Sequence, residues 1–334
     1  MVAALEIFSR VYELDKPELR APTLLCESAG LHEADQELFW ALRPNLLLDF
    51  QGVRVVTNSL GLRSAEIDTK EPNEFRILSL GESTTFGAGV ENDETYSALL
   101  ETYLNQADRT RKYRVINAGV SAYTSFQSLK YLEFRGLQLR PDMVLFYHEY
   151  NDSLRTVLRD GGPKDEAALA ATDKQLYFSR KNRMHRILLS HSGIYRFITY
   201  HAAREQITKQ SDSSDSVFEE GGSRVETRLP VRVPLEERKE ILGELLAVCQ
   251  SRGLQLVMIH PSYRDFARHE CELTEFCQQH NVPMFDAYGS LHGEESNPDG
   301  LFLDGMHPNR QGHRLLATDL LGFLSEARLV PFAR

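Results

Sequence analysis

Apolar residues recur at alternate positions through Phe75-Arg76-Ile77-Leu78-Ser79-Leu80 and stop at Gly81, the pattern of a strand that ends at a turn. A helix is predicted to open near Asn92-Asp93, because Tyr96, Leu99, Leu100, Tyr103 and Leu104 then share one face. Arg114-Val115-Ile116-Asn117 predicts a second strand, with a helix following near Ser125–Phe134. The nearly unbroken apolar run Met143-Val144-Leu145-Phe146-Tyr147 suits a strand buried on both faces. Pro234–Ser251 predicts an amphipathic helix with its proline in the first turn, where no N–H is needed. It leads into a strand at Leu254–Ile259, and a further helix leads to Val282-Pro283-Met284-Phe285. The last helix carries Leu315, Leu316, Leu320, Leu321 and Leu324. Strands and helices alternating at this spacing predict a parallel sheet covered on both sides, an α/β fold.

Two regions depart from the alternation. Residues 1–71 read as an irregular prelude, with Phe39-Trp40-Ala41-Leu42-Arg43-Pro44, a short alternating run at Val53–Val56 and a turn at Asn58-Ser59-Leu60-Gly61. Within it Leu5, Phe8 and Tyr12 share a helical face, which reads as a packing helix or as a surface-associated or truncated anchor. Residues 153–233 hold helix-like stretches near Ala167–Phe178 and Met184–Ile207, then a polar tract from Ser211-Asp212-Ser213-Ser214-Asp215-Ser216 to Gly221-Gly222 with a mobile composition. An insertion of this length beside a sheet's carboxyl edge is either a lid or a plain surface excursion. The expected organisation is a 1–71 extension packed on a 72–330 domain that carries the 153–233 insertion.

At 334 residues, with 42% hydrophobic and 26% charged positions, the composition is that of a soluble globular protein of one large or two modest domains. A net charge of −10 argues against a nucleic-acid partner, since no basic stripe can replace counterions on phosphates. Cys26, Cys249, Cys271 and Cys277 match neither a Cys-x-x-Cys pair nor a zinc spacing, and Cys249 and Cys277 fall on apolar helix faces as core residues. The N-terminus is too short for a signal h-region with a cleavage site, and no apolar run approaches the ~20 residues of a membrane span. The chain as written therefore reads as cytoplasmic, with export or membrane anchoring of a longer form as the alternative. Oligomeric state is not specified.

Candidate chemistry lies at two distant places. Ser83 follows the first strand in Gly81-Glu82-Ser83, and Asp304-Gly305-Met306-His307-Pro308 puts a carboxylate three residues ahead of an imidazole. A hydroxyl, an imidazole and a carboxylate in this setting are the parts of a nucleophilic hydrolase. His307 would take the proton of Ser83 and return it to the leaving alcohol, while Asp304 fixes the imidazole's tautomer. Taken singly each residue has a plainer reading: Ser83 as a turn or cap, Asn151-Asp152 as a turn, and His307-Pro308 as the opening of the last helix.

Together these segments resemble the ordered blocks of the SGNH (GDSL-like) hydrolases. The blocks are Gly81-Glu82-Ser83, Asn117-Ala118-Gly119-Val120-Ser121, Tyr150-Asn151-Asp152 and Asp304-Gly305-Met306-His307-Pro308. The resemblance covers about residues 72–152 and 236–325. It implies a three-layer α/β/α sandwich around a five-stranded parallel sheet of flavodoxin-like order, with no metal and no cofactor. It also implies an oxyanion hole made by the backbone N–H groups of Ser83 and Gly119 and the side-chain amide of Asn151. The expected activity is a serine esterase acting on a small-molecule, carbohydrate or lipid ester, with an O-acetyl or short acyl group. An O-acyltransferase using a sugar or lipid hydroxyl, and a catalytically silent binding module, are the alternatives.

Two positions depart from the family pattern. Glu82 stands where Asp is usual, and Glu149 stands where the third block usually has glycine, so Glu149 either crowds a tight turn or lines the pocket. Tyr263 and Arg264, after the Leu254–Ile259 strand, are candidates for substrate contact, a surface loop being the alternative. Gly81-x5-Gly87-Ala88-Gly89 lacks the lysine of a phosphate loop, and no dinucleotide fingerprint is present. His148, Glu149, Asp152, Asp304 and His307 match no familiar metal-ligand spacing.

Overall fold

The computed structural model describes residues 30–154, 171–198, 231–265, 272–293 and 297–332. The strands are β1 (His32–Asp35), β2 (Phe39–Leu42), β3 (Leu47–Phe50), β4 (Val53–Val56), β5 (Glu74–Gly81), β6 (Lys112–Gly119), β7 (Met143–Tyr147), β8 (Gln255–His260) and β9 (Met284–Asp286). The α-helices named here are α1 (Ser83–Phe86), α2 (Tyr96–Ala107), α3 (Ser125–Phe134), α4 (Tyr150–Ser153), α5 (Asp173–Phe178), α6 (Arg180–His191), α7 (Leu235–Ser251), α8 (Glu272–His280), α9 (Ala287–His292) and α10 (Arg310–Glu326).

Strands β5 to β9 form one sheet in the order β6-β5-β7-β8-β9, with every pairing parallel. The first strand of the sheet thus lies between the second and third, as the flavodoxin-like expectation requires. Every residue of β5 and β7 is buried. One face packs Ile77, Val115, Leu145, Val257 and Ile259 against Tyr96, Leu100 and Leu104 of α2 and Leu316, Leu320 and Leu324 of α10. The alternate residues Leu78, Leu80, Ile116, Val144, Phe146 and Met258 are buried on the other face. Such two-sided burial is what turns a strand into a continuous apolar run. Two of the polar side chains of β5 satisfy each other: Arg76 Nε pairs with Glu74 Oε1 at 2.6 Å, and Arg76 Nη1 donates to Leu139 O.

The chain divides into two compact units, one drawn from Met1–Arg43 and Ser153–Pro234, the other from Pro44–Asp152 and Leu235–Arg334. The division within the prelude falls at residue 43, ahead of the boundary expected at 71. The second half of the prelude belongs to the sheet-bearing unit because Arg63, 2% exposed, runs into it. Its guanidinium donates to the carbonyls of Phe86, Gly87 and Val90 and to Asn92 Oδ1. In the other unit β1 and β2 make an antiparallel hairpin. Arg186 of α6 stacks on the rings of Phe39 and Tyr177 and donates to the carbonyls of Gln36 and Tyr177.

Leu5, Phe8, Tyr12, Cys26, Cys271 and the Ser211–Ser216 tract lie outside the described residues. Cys249 and Cys277 are buried on α7 and α8. Among the described residues no helix is long and apolar enough to cross a membrane.

Candidate active site

The register of the sheet brings the predicted segments to one edge. Gly81 at the end of β5 is level with Gly119 on one side and Tyr147 on the other, so three strands stop together. Ser83 follows as the first residue of α1, a single turn closed by Gly87 in the left-handed region (φ 87°). The Ser83 N–H belongs to the first turn of that helix, which supplies no partner for it.

The Asp304–His307 segment is held by a tight loop. Phe302 and Pro308 pair across it, and the Leu303 N–H donates to the His307 carbonyl at 2.8 Å. Inside the loop Asp304 Oδ1 accepts the N–H groups of Met306 and His307, both at 2.7 Å. Its other oxygen, Oδ2, lies 2.7 Å from His307 Nδ1, and His307 Nε2 lies 2.9 Å from Ser83 Oγ. The three-residue spacing works because the turn folds the carboxylate back on the ring. Burial opposes ionisation of Asp304, but the hydrogen bonds from the His307 ring, the His307 N–H and the Met306 N–H outweigh it and hold the carboxyl below its ordinary range. With an ionised acceptor on Nδ1 the ring carries its hydrogen there, leaving Nε2 to accept from the serine.

Asn151 is on the first turn of α4, 7% exposed. Its side-chain Nδ2 donates to Tyr123 O at 3.1 Å, which leaves one amide hydrogen. Its backbone N–H donates to Glu82 Oε2 at 3.1 Å. Glu82 is 2% exposed, and its carboxyl is pushed up to about 7. Burial dominates that rise and the neighbouring Asp152 adds to it, against hydrogen bonds from Asn151, Tyr263 and Tyr150.

Gly119 is where the structure departs from the expectation. Its N–H donates to Asn117 Oδ1 at 2.9 Å and so is committed within the protein. Glycine is required there because a Cβ would sit 2.3 Å from Phe86 N and 2.5 Å from Thr85 C. Asn117 completes the junction, its Nδ2 donating to Thr85 O at 2.7 Å. The same loop then turns, with the Tyr123 N–H donating to Val120 O at 3.1 Å and Ala122 at φ 65°. Positive φ at the third residue alone defines a type II turn, whose central Ser121–Ala122 peptide is flipped.

The remaining candidates are all engaged by protein groups. Glu149 is 8% exposed and lies 4.0 Å from Arg238 Nη1, in a cluster where Arg238 also meets Glu272 at 2.8 Å and Asp152 at 3.5 Å. The charge of Glu149 is thus met by the protein. Tyr263 is 6% exposed, its hydroxyl donating to Glu82 Oε1 at 3.0 Å and accepting the Tyr150 N–H at 2.9 Å. Arg264 is paired with Asp265 at 2.7 Å, which raises its guanidinium further, with Asp299 and Asp304 adding to the effect. Among the described residues no three His, Cys, Asp or Glu side chains are grouped to hold a metal.

Residues 79–315 match the family model of the GDSL-like lipase/acylhydrolase family. Among solved structures the fold is similar to LAE5, an α/β hydrolase enzyme from the metagenome of Lake Arreo, Spain, at 17% identity and a TM-score of 0.46, over 75% of this chain and 95% of that one. It is also similar to Axe2, an acetylxylan esterase from Geobacillus stearothermophilus, at 16% identity and a TM-score of 0.45, over 75% and 94% of the two chains. The psychrotrophic esterase EstA from Pseudoalteromonas sp. is a further structural relative, at 13% identity and a TM-score of 0.45, over 76% and 99%. No curated protein matches the chain.

Proposed function

The chain belongs to the GDSL-like lipase/acylhydrolase family, whose model spans most of it, and we propose that it cleaves a short-acyl carboxylic ester through an acyl-enzyme on Ser83. The observation that carries this reading is the line of Ser83 Oγ, His307 and Asp304, with contacts of 2.9 and 2.7 Å. His307 Nε2 takes the serine proton as Oγ attacks the ester carbonyl, and the imidazolium is stabilised by Asp304. The same proton then goes to the leaving alcohol as the tetrahedral adduct collapses. Water, deprotonated by His307, repeats the sequence and releases the acid.

The charge that develops on the carbonyl oxygen is met by preorganised donors. Two are the Ser83 N–H and the second amide hydrogen of Asn151. Asn151 is suited to this role because its other amide hydrogen is bonded to Tyr123 O, which fixes the side chain.

The test is hydrolysis of p-nitrophenyl esters of increasing acyl length and of acetylated sugars, beside labelling by a fluorophosphonate. Acetate and propionate esters should be cleaved fastest and Ser83 should take the label, with Ser83→Ala losing both. A folded protein that neither cleaves these esters nor takes the label would overturn the proposal.

A further inference from the structure

We propose that Tyr263 and Glu82 are positioning residues, a hydrogen-bonded clamp across three strand ends that aims the Asn151 amide at the developing oxyanion. The inference rests on the esterase reading and deepens it. Glu82 follows β5, Asn151 follows β7 and Tyr263 follows β8, and these three strands are adjacent in the sheet. The two oxygens of Glu82 serve different donors. Oε1 accepts the Tyr263 hydroxyl at 3.0 Å, and Oε2 accepts the Asn151 N–H at 3.1 Å. The Tyr263 oxygen in turn accepts the Tyr150 N–H at 2.9 Å. Two successive backbone donors at the start of α4 are therefore received by one phenol–carboxylate pair.

Tyr263 is itself fixed from behind. The Ser262 N–H donates to the Tyr147 hydroxyl at 3.2 Å, so the last residue of β7 holds the loop that delivers the ring. On its other side Asn151 is tied through Nδ2 to Tyr123 O. Its backbone and side chain are thus both anchored, and one amide hydrogen is left with a defined direction. A displacement of about 1 Å in such a group can cost ~10²-fold in rate. Neither Glu82 nor Tyr263 reaches the reacting atoms in this arrangement. Both act through Asn151.

The experiment is a double-mutant cycle on p-nitrophenyl acetate. Tyr263→Phe keeps the ring but removes the donor to Glu82 and the acceptor for Tyr150. It should lower kcat by about 10- to 100-fold with KM within about twofold. Asn151→Ala alone should cost about 10²- to 10³-fold. Because Tyr263 works through Asn151, the double variant should be no slower than Asn151→Ala. Losses that multiply, or a Tyr263→Phe variant at wild-type kcat, would overturn the clamp. Should Tyr263→Phe fail to fold, Glu82→Asp, which withdraws the carboxylate by one methylene, enters the same cycle with the same expectations. Wild-type protein inert to the ester and to the fluorophosphonate would instead sink the esterase reading, and the clamp with it.

Discussion

Glu82→Gln isolates the cost of placing an acid beside the nucleophile. The carboxyl rises from an ordinary 4.5 to about 7 in the fold, chiefly through burial and secondarily through Asp152. That difference corresponds to ~3 kcal/mol at ~1.4 kcal/mol per pH unit. Its sign follows from which state holds the proton more tightly. Below pH 4.5 the group is protonated folded and unfolded alike, and its full contribution to stability is present. Between 4.5 and about 7 the folded chain keeps a proton that the unfolded chain has released, so stability falls as pH rises. Above about 7 the loss is complete. Glutamine stays neutral and escapes this penalty. The stability of wild type relative to Glu82→Gln should thus drop by ~3 kcal/mol between pH 4.5 and pH 8. Urea unfolding followed by far-UV circular dichroism at fixed ionic strength measures it; the single tryptophan, Trp40, lies in the other unit and would report elsewhere. A difference constant to within about 0.5 kcal/mol across that range would refute the argument that burial governs this carboxyl.

Three further outcomes are expected. Arg63→Met removes charged donors from three buried carbonyls and Asn92, and calorimetry should register a net loss of about 3 kcal/mol or more. Gly119→Ala forces a methyl to 2.3 Å from Phe86 N and should destabilise by about 3 kcal/mol or more, whereas Ala122→Gly relieves a left-handed alanine and should stabilise by about 0.5–1 kcal/mol, both read by thermal melts. Asp304→Asn keeps the turn but favours the wrong imidazole tautomer, and kcat on p-nitrophenyl acetate should fall by about 10⁴-fold with little change in melting temperature.

The fold was legible where burial is two-sided, because β7 is then an unbroken apolar run, whereas β5 was read from the apolar positions between Arg76, Ser79 and Gly81. Helix limits were legible where caps are local: Thr124 and Gln127 form a reciprocal capping box at the start of α3, whose limits match the sequence reading. The last helix starts later than His307-Pro308 suggested, since Asn309 Oδ1 accepts the N–H groups of Gln311 and Gly312 and sets the cap there. Gly119 was picked out as an oxyanion donor, and sequence does not show that the backbone of Thr85–Phe86 is what leaves no room for a Cβ there. Ala122 offered no signal, because nothing in an alanine announces positive φ. Tyr263 was placed at the right edge with the wrong facing, since the direction of a side chain after a strand is set by its partners, Glu82 and Tyr150.

Two carboxylates near Ser83 divide the work by environment rather than by distance along the chain. Asp304 is half exposed, at 53%, and receives three hydrogen bonds, which favour its ionised form. Glu82 precedes Ser83 directly, yet it is buried and its pKa is raised toward neutrality. A partner for the imidazolium must carry a charge through the reaction, which suits Asp304 and excludes Glu82. A brace for Asn151 needs fixed acceptors more than charge, which suits Glu82 with its two oxygens already bonded to Tyr263 and Asn151. The substitution of Glu for the usual Asp is consistent with such a brace. The longer side chain spans from the end of β5 to the loops after β7 and β8, and Tyr263 supplies the matching donor. On the proposed reading proton transfer belongs to His307 and Asp304 and oxyanion stabilisation to Asn151, so Glu82→Asp should leave the Ser83–His307–Asp304 contacts intact.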